Sequence, residues 1–326
     1  IEEEFYNTDG QPMINEVGVF GWRSKFNDKG YQIKRSYFDT QKKPCVGSNG
    51  VCSYLSEFDD QGNEIHTTYL GIDDQHCFSS DGIARKEYRY DDKGNTIEIS
   101  YKDLSGKLCY SKEGYAGLTL ERDSLGNIIE YRCYDIFRKP SLLKDGTNGY
   151  LAKYDVRGNT LEYTNIGLDK KPVPGDDNVI TFKLEYDSRN NKKSLAYYDE
   201  NDQLTLSKED IAFALYKYDE RGNETQRNFY GTDSLPTKGN IGFAGWTAKF
   251  DDQGNEIERM YVDEREQPIL LSRGYAGFKA RYDDRGNQTE YWQVDINGKH
   301  VKKFPFILSK FDNNDKSDEC CNLLQL

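Results

Sequence analysis

The chain repeats itself every 32 residues without insertion or deletion, and that period limits what it can fold into before any other signal is weighed. The origin of the repeat is a glycine at Gly30, Gly62, Gly94, Gly126, Gly158, Gly222, Gly254 and Gly286, with Asn190 in the same place between Gly158 and Gly222. An Asp stands three residues earlier in eight of the nine copies, and an Asn one residue later in eight of nine, Asn27 and Tyr31 being the exceptions. Gly and Asn tolerate a positive φ, and an Asp at that offset accepts hydrogen bonds from the amides of its own turn. The spacing predicts a hairpin turn repeated nine times.

A second fixed turn opens each repeat twelve residues before the origin, at Gly18, Gly50, Gly82, Gly114, Gly146, Asn178, Asp210, Gly242 and Gly274. From it runs strand A, as in Ala276 to Tyr282, alternating apolar and polar residues like a half-buried strand. Strand B follows the origin turn, as in Ile257 to Asp263, and a loop carrying Pro44, Pro140, Pro172, Pro236 or Pro268 leads to the next repeat.

Charges and aromatics straddling the turn give the register. Arg89 and Glu98, Lys153 and Glu162, Lys249 and Glu258, and Arg281 and Glu290 all lie nine residues apart. Opposing them predicts a loop of about four residues and sets Trp22 against Tyr37, Tyr54 against Tyr69 and Trp246 against Tyr261. Where strand A lacks its aromatic (Lys86, Ala214), Tyr88 or Tyr216 follows on the same face. Where strand B lacks its own (Cys133, Asn165, Gln293), Tyr131, Tyr163 or Tyr291 precedes it. Such compensation is the behaviour of a packed core.

The predicted fold is therefore all-β: an elongated, solenoid-like array of about nine 32-residue antiparallel β-hairpin repeats, growing ~10 Å per repeat. A parallel β-helix is the alternative, but it would stack eight Asp in one column at ~4.8 Å, and the pairs across the turn favour hairpins. Residues 1–17 read as a partial repeat, 18–305 as the nine-repeat array, and 306–326 as a shortened capping repeat and tail. Ile1 falls where Ile33, Ile65, Ile97, Ile129 and Ile257 do, so the expectation is a fragment of a longer array.

Chemistry is sparse. His66, His76 and His300 occupy unrelated frame positions, no Cys/His spacing suits zinc, and the turns lack the helix and lysine of a nucleotide loop. The expectation is a non-enzyme without cofactors or metals. Calcium is the serious metal candidate, since Asp39, Asp103, Asp135, Asp199, Asp263 and Asp295 add a second acidic column nine residues after the origin. Gly71, Gly167 and Gly231 take the same place, however, and an Asp-or-Gly site reads as turn chemistry. A net charge of -12 argues against nucleic acid, and no apolar run suits membrane insertion. Cys45, Cys77 and Cys109 share a frame position ~10 Å apart, too far for disulfides, and read as small buried thiols; Cys320 and Cys321 fall outside the repeats.

One stripe on the polar face of strand B is apolar: Phe38, Leu70, Tyr134, Ile166, Tyr198, Tyr230, Val262 and Val294, interrupted by Lys102. Exposed, it would be a partner-binding band. Each repeat also has a loop able to cover it, which favours burial.

The run Tyr-Asp-x-Arg-Gly-Asn at Tyr154 to Asn159, Tyr218 to Asn223 and Tyr282 to Asn287 resembles the YD-repeat (RHS-type) motif of bacterial surface and toxin-associated proteins. The second turn is similar to that of bacterial MORN-like hairpin repeats. The resemblance recurs through residues 5–300 on the 32-residue period. It implies hairpin repeats in a cell-envelope, secreted or toxin-shell protein, with no catalysis by the repeats. The functional expectation is a binding or scaffold module for a protein or glycan partner. The alternative is a structural shell or stalk segment with no ligand of its own.

Overall fold

The computed structural model describes residues 1–304; the expected capping repeat and Cys320–Cys321 lie outside them. The described residues are all-β. A short strand, Glu2–Glu4, precedes alternating A and B strands, such as Gly21–Phe26 with Gln32–Phe38 and Ser53–Phe58 with Glu64–Leu70, ending at His300–Phe304. Neighbouring strands pair antiparallel, A with B within a repeat and B with the A of the next. Two compact units are present, residues 1–159 with 165–173, and 160–164 with the chain from Pro174 onward.

The hairpin register is the one the charges and aromatics define. Trp22 faces Tyr37, Tyr54 faces Tyr69, Trp246 faces Tyr261, and Arg281 faces Glu290. The four-residue loop needs correction. Lys249 pairs with Glu258, but the next pair is Phe250 with Glu256, which leaves Ile257 bulged. The same slip recurs in the other copies and lengthens the loop by one residue, because the turn closes as a five-residue unit with its own bonds. In it Asp251 N donates to Asn255 O at 3.0 Å and Gly254 N to Asp251 O at 3.1 Å.

The repeat contains three such turns rather than two, with a different turn only at Lys238 to Gly242. The third lies in what the sequence presents as a proline-bearing loop. There Asp39 N donates to Lys43 O and Lys42 N to Asp39 O, both at 2.9 Å, and Lys42 has φ 63°. Equivalent residues at positive φ are Asp74, Arg138, Lys170, Asp202, Ser234 and Glu266, with Gly10, Gly106 and Gly298 completing the column. The segment beyond folds back on strand B: Phe38 bridges Pro44, and Cys45 N donates to Tyr37 O at 3.2 Å.

In both units the core lies on the aromatic face. In the first, Val19, Tyr37 and Val51 are buried with Trp22, Tyr54, Tyr69, Cys45 and Cys77 against them. In the second, Leu184, Leu195, Tyr197, Tyr216, Phe229 and Trp246 form a larger cluster. Cys45, Cys77 and Cys109 are half-buried free thiols rather than fully buried ones.

Candidate functional site

The origin turns are built from the Asp and Asn of the repeat. Asp59 Oδ1 accepts from Gln61 N at 3.0 Å and Asn63 N at 2.8 Å, while Oδ2 accepts from Asn63 Nδ2 at 2.9 Å. Asp91, Asp123, Asp155, Asp187, Asp219 and Asp251 are engaged in the same way. The Asn side-chain bonds, assisted by the turn amides, hold these carboxyls below the usual range, Asp155 at about 2. Asp39 serves the third turn likewise, accepting from Gln41 N and Lys43 N. In both acidic columns Oδ1 is thus spent on turn amides. The origin residues all have positive φ, 86° at Gly158 and 74° at Asn190 among them.

The stripe is covered. Phe38, Leu70, Tyr134, Ile166, Val262 and Val294 are at most 6% exposed, and Tyr198 and Tyr230 are half-buried. Two features hide it, neither visible in the stripe itself. Across the hairpin from it stand small residues: Gly21 opposite Phe38, Ser53 opposite Leu70, Gly117 opposite Tyr134. The stripe side chain folds into that space, so a Cβ on Gly117 would land on the Tyr134 hydroxyl and the Ile99 carbonyl. Where the opposing residue is Phe213, Tyr230 stacks on it instead (centroids 4.7 Å apart) and stays half-buried. The second feature is a lid of long cationic side chains: Arg23 and Lys42 lie 4.7 and 4.8 Å from the Phe38 ring, and Arg138 5.2 Å from Tyr134. At the interruption, Lys102 faces Arg85, and Glu87 neutralises both at 3.0 and 3.9 Å.

Lys42 and Arg138 belong to a second pattern that the sequence reading missed. In four repeats a charged residue at the positive-φ site of the third turn reaches back to strand B of the preceding repeat, 40 residues earlier, whereas Asp202 binds Lys183 of its own repeat. Lys42 pairs with Glu2 at 2.7 Å, Asp74 with Lys34 at 2.5 Å, Arg138 with Glu98 and Lys170 with Glu130 at 2.7 Å. The sign inverts at Asp74 and its partner inverts with it, a compensation legible in the sequence at that separation. Glu98 is the centre of the most developed pair, buried and accepting also from Arg89 at 2.8 Å and the Tyr134 hydroxyl at 2.8 Å. Burial opposes its ionisation, but the Arg138, Tyr134 and Arg89 bonds outweigh that and hold its carboxyl below the usual range. Tyr134 is pushed up to about 12, chiefly by burial.

The histidines stand apart from one another: His66 Nδ1 is 3.2 Å from Glu57, and His300 stacks on Trp292. An apolar column that does face outward lies on the segment between the third turn and the next repeat. In the first unit it comprises Ile14, Val46, Phe78, Tyr110 and Leu142, each 44–50% exposed.

No described protein family matches the sequence, and no curated protein matches it. Solved structures share part of its course. A crystal structure of TcdB2-TccC3-Cdc42 aligns with 84% of this chain at 14% identity and a TM-score of 0.35. The Photorhabdus luminescens Tc holotoxin pore, with a mutated TccC3, aligns with 84% at 14% identity and 0.31. A porin-like protein from Bacteroides uniformis aligns with 77% at 9% identity and 0.18. The chain spans only 14% and 15% of the two toxin-complex chains, against 87% of the porin-like one.

Proposed function

We propose that this array is a non-catalytic scaffold, whose sheet displays or holds neighbouring protein segments within a larger toxin-associated or surface protein. The supporting observation is where the side chains are spent. The one apolar stripe on the polar face is folded largely under glycines and cationic lids, and at four of the third turns a charged residue ties its repeat to the one before. Such bonds between successive copies serve the rigidity of the sheet. The YD-type turns suggest a secreted or cell-envelope setting.

The test is block substitution in the natural gene product. Reversing the exposed strand charges in groups, for example Lys25, Glu57 and Glu121, should leave its assembly and export intact while the melting temperature holds. Breaking the turns should abolish both. The scaffold reading fails if the purified chain turns over a substrate at a rate lost with one substitution. It also fails if it binds a glycan saturably through one exposed residue.

A further inference from the structure

We propose that the cleft between the origin turns of Gly62 and Gly94 is a docking site for a tyrosine side chain, presented by a neighbouring protein segment and stacked on Tyr90. The proposal rests on the scaffold reading and names how the sheet holds such a segment.

The molecule supplies an example of the occupant one repeat earlier. Tyr31 stands where the other origin turns have Asn, and its ring fills the cleft between the turns of Gly30 and Gly62. It stacks on Phe58, with centroids 5.0 Å apart and planes 26° apart, and its hydroxyl lies over Gly62, where a Cβ would strike it. In the next repeat Tyr90 and Gly94 take the places of Phe58 and Gly62, and Asn63 takes that of Tyr31. Asn63 has no ring to lay on Tyr90, and its Nδ2 turns back to Asp59 Oδ2 at 2.9 Å. The Tyr90 platform is itself fixed, its hydroxyl donating to Glu64 O at 2.7 Å. A cavity of about 520 Å³ remains, within the ~300–1,000 Å³ of ligand pockets.

Side chains close other clefts of the same kind. Between the turns of Gly94 and Gly126, Arg122 replaces the aromatic residue and donates to Thr96 O at 3.2 Å and Gly126 O at 2.7 Å. Lys93 crosses the same gap to Ser124 O at 3.4 Å. Further along, Arg189 reaches Asp219 O and Glu220 O, and Arg221 reaches Asp252. Gln61 holds that bridging position at the proposed site, where it lines the cavity; among the described residues it bonds to no later turn.

The lining selects a neutral, hydroxylated ring. Asp59, Asp91 and Asp92 border the cavity against Lys93 and Arg89, and Arg89 is already 2.8 Å from Glu98. A phenol donates to such carboxylates, whereas a phosphorylated ring is repelled by them.

The experiment is titration of the isotope-labelled whole chain with N-acetyl-L-tyrosinamide, read from the amide signals of Asn63 and Gly94. Saturable shifts in the millimolar range are expected. Asn63→Tyr copies Tyr31 into this cleft and should weaken binding by about tenfold or more at a nearly unchanged melting temperature. Its turn still closes, as Tyr31 N donates to Asn27 Oδ1 at 2.9 Å in the first one. Tyr31→Asn vacates the preceding cleft and should add a second site, with shifts centred on Gly62. The phosphotyrosine analogue should bind about tenfold more weakly, or not at all. The proposal is overturned if the tyrosinamide leaves Asn63 and Gly94 unmoved, or if the folded Asn63→Tyr chain binds as before. It is also overturned if Tyr31→Asn gains no site, or if the phosphorylated analogue binds equally well. Each of these leaves the scaffold reading standing, since that reading rests on the buried stripe and is tested by turn breakage. A methyl glucoside that occupies the cleft more tightly than the tyrosinamide overturns both, so the two failures are told apart.

Discussion

Phe38 and Val46 lie on one short stretch of a single repeat, recur with the same period, and have opposite fates. The first column is hidden beneath glycine and cationic side chains; the second is half in water. Apolarity at a repeated position therefore does not say which face is buried. The residues opposite decide it: a missing Cβ across the hairpin gives Phe38 somewhere to go, and Lys42 closes over it. Val46 alternates with the inward Cys45 on a segment whose other side is already packed against Tyr37 and Val51.

The widest separation between the two columns should appear on truncation. Phe38→Ala removes a buried aromatic and should cost about 3–5 kcal/mol. Phe78→Ser, at 47% exposure, should stay within about 0.5 kcal/mol. Urea unfolding of the two variants measures this directly, and equal losses would mean that the outer column is not exposed in solution.

The lid is the next way to break the contrast. Arg138→Gly relaxes a non-glycine residue at φ 60° but opens the Tyr134 ring and removes one partner of buried Glu98. The relief is worth about 1 kcal/mol, the lost charged hydrogen bond about 1.5–3 kcal/mol. Net destabilisation is expected, and it should be absent in Arg138→Gly/Glu98→Gln relative to Glu98→Gln alone. A full loss in that background would show the arginine acting through the ring and not the carboxylate.

Turn chemistry carried most of what was legible. Gly and Asn announce the origin turn, and Arg281–Glu290 and Trp22–Tyr37 announce the register, because each needs a particular residue type at a fixed place. The third turn was illegible for the converse reason. Lys, Asp, Arg, Ser and Glu occupy its positive-φ site in most copies, so residue type there carries little conformational signal; the Asp-or-Gly column at its start and the charge pairs forty residues apart were its traces. The bulge escaped because counting outward from a charge pair assumes an unbroken two-residue alternation, which Ile257 interrupts. At the origin, Gly158→Val should cost about 1–3 kcal/mol, since a β-branched residue at φ 86° is strained. Asn190→Gly should be neutral or slightly stabilising; a comparable loss there would mean that the Asn side chain, not the backbone, holds the turn.

The smallest effect per site concerns the aspartates of the origin turns. Their folded pKa values lie below the ordinary 3.8, Asp155 at about 2, because the charged form accepts bonds that the unfolded chain does not make. A depressed carboxyl contributes stability that is fully present above its unfolded pKa and is lost as pH falls through the folded one. The melting temperature should therefore be flat at neutral pH, begin to fall as pH drops below about 5, and continue falling to about 2. Each site is exposed and contributes little, but the turns repeat, so the slope should be steep. Asp59→Asn, Asp91→Asn and Asp123→Asn together should lower stability at pH 7 and flatten the acid limb, because an amide oxygen accepts the same backbone bonds without titrating. A calcium chelator should leave the neutral melting temperature unchanged. If the triple variant kept the full acid slope, the titrating groups would lie elsewhere, with buried Glu98 and its arginines the first place to look.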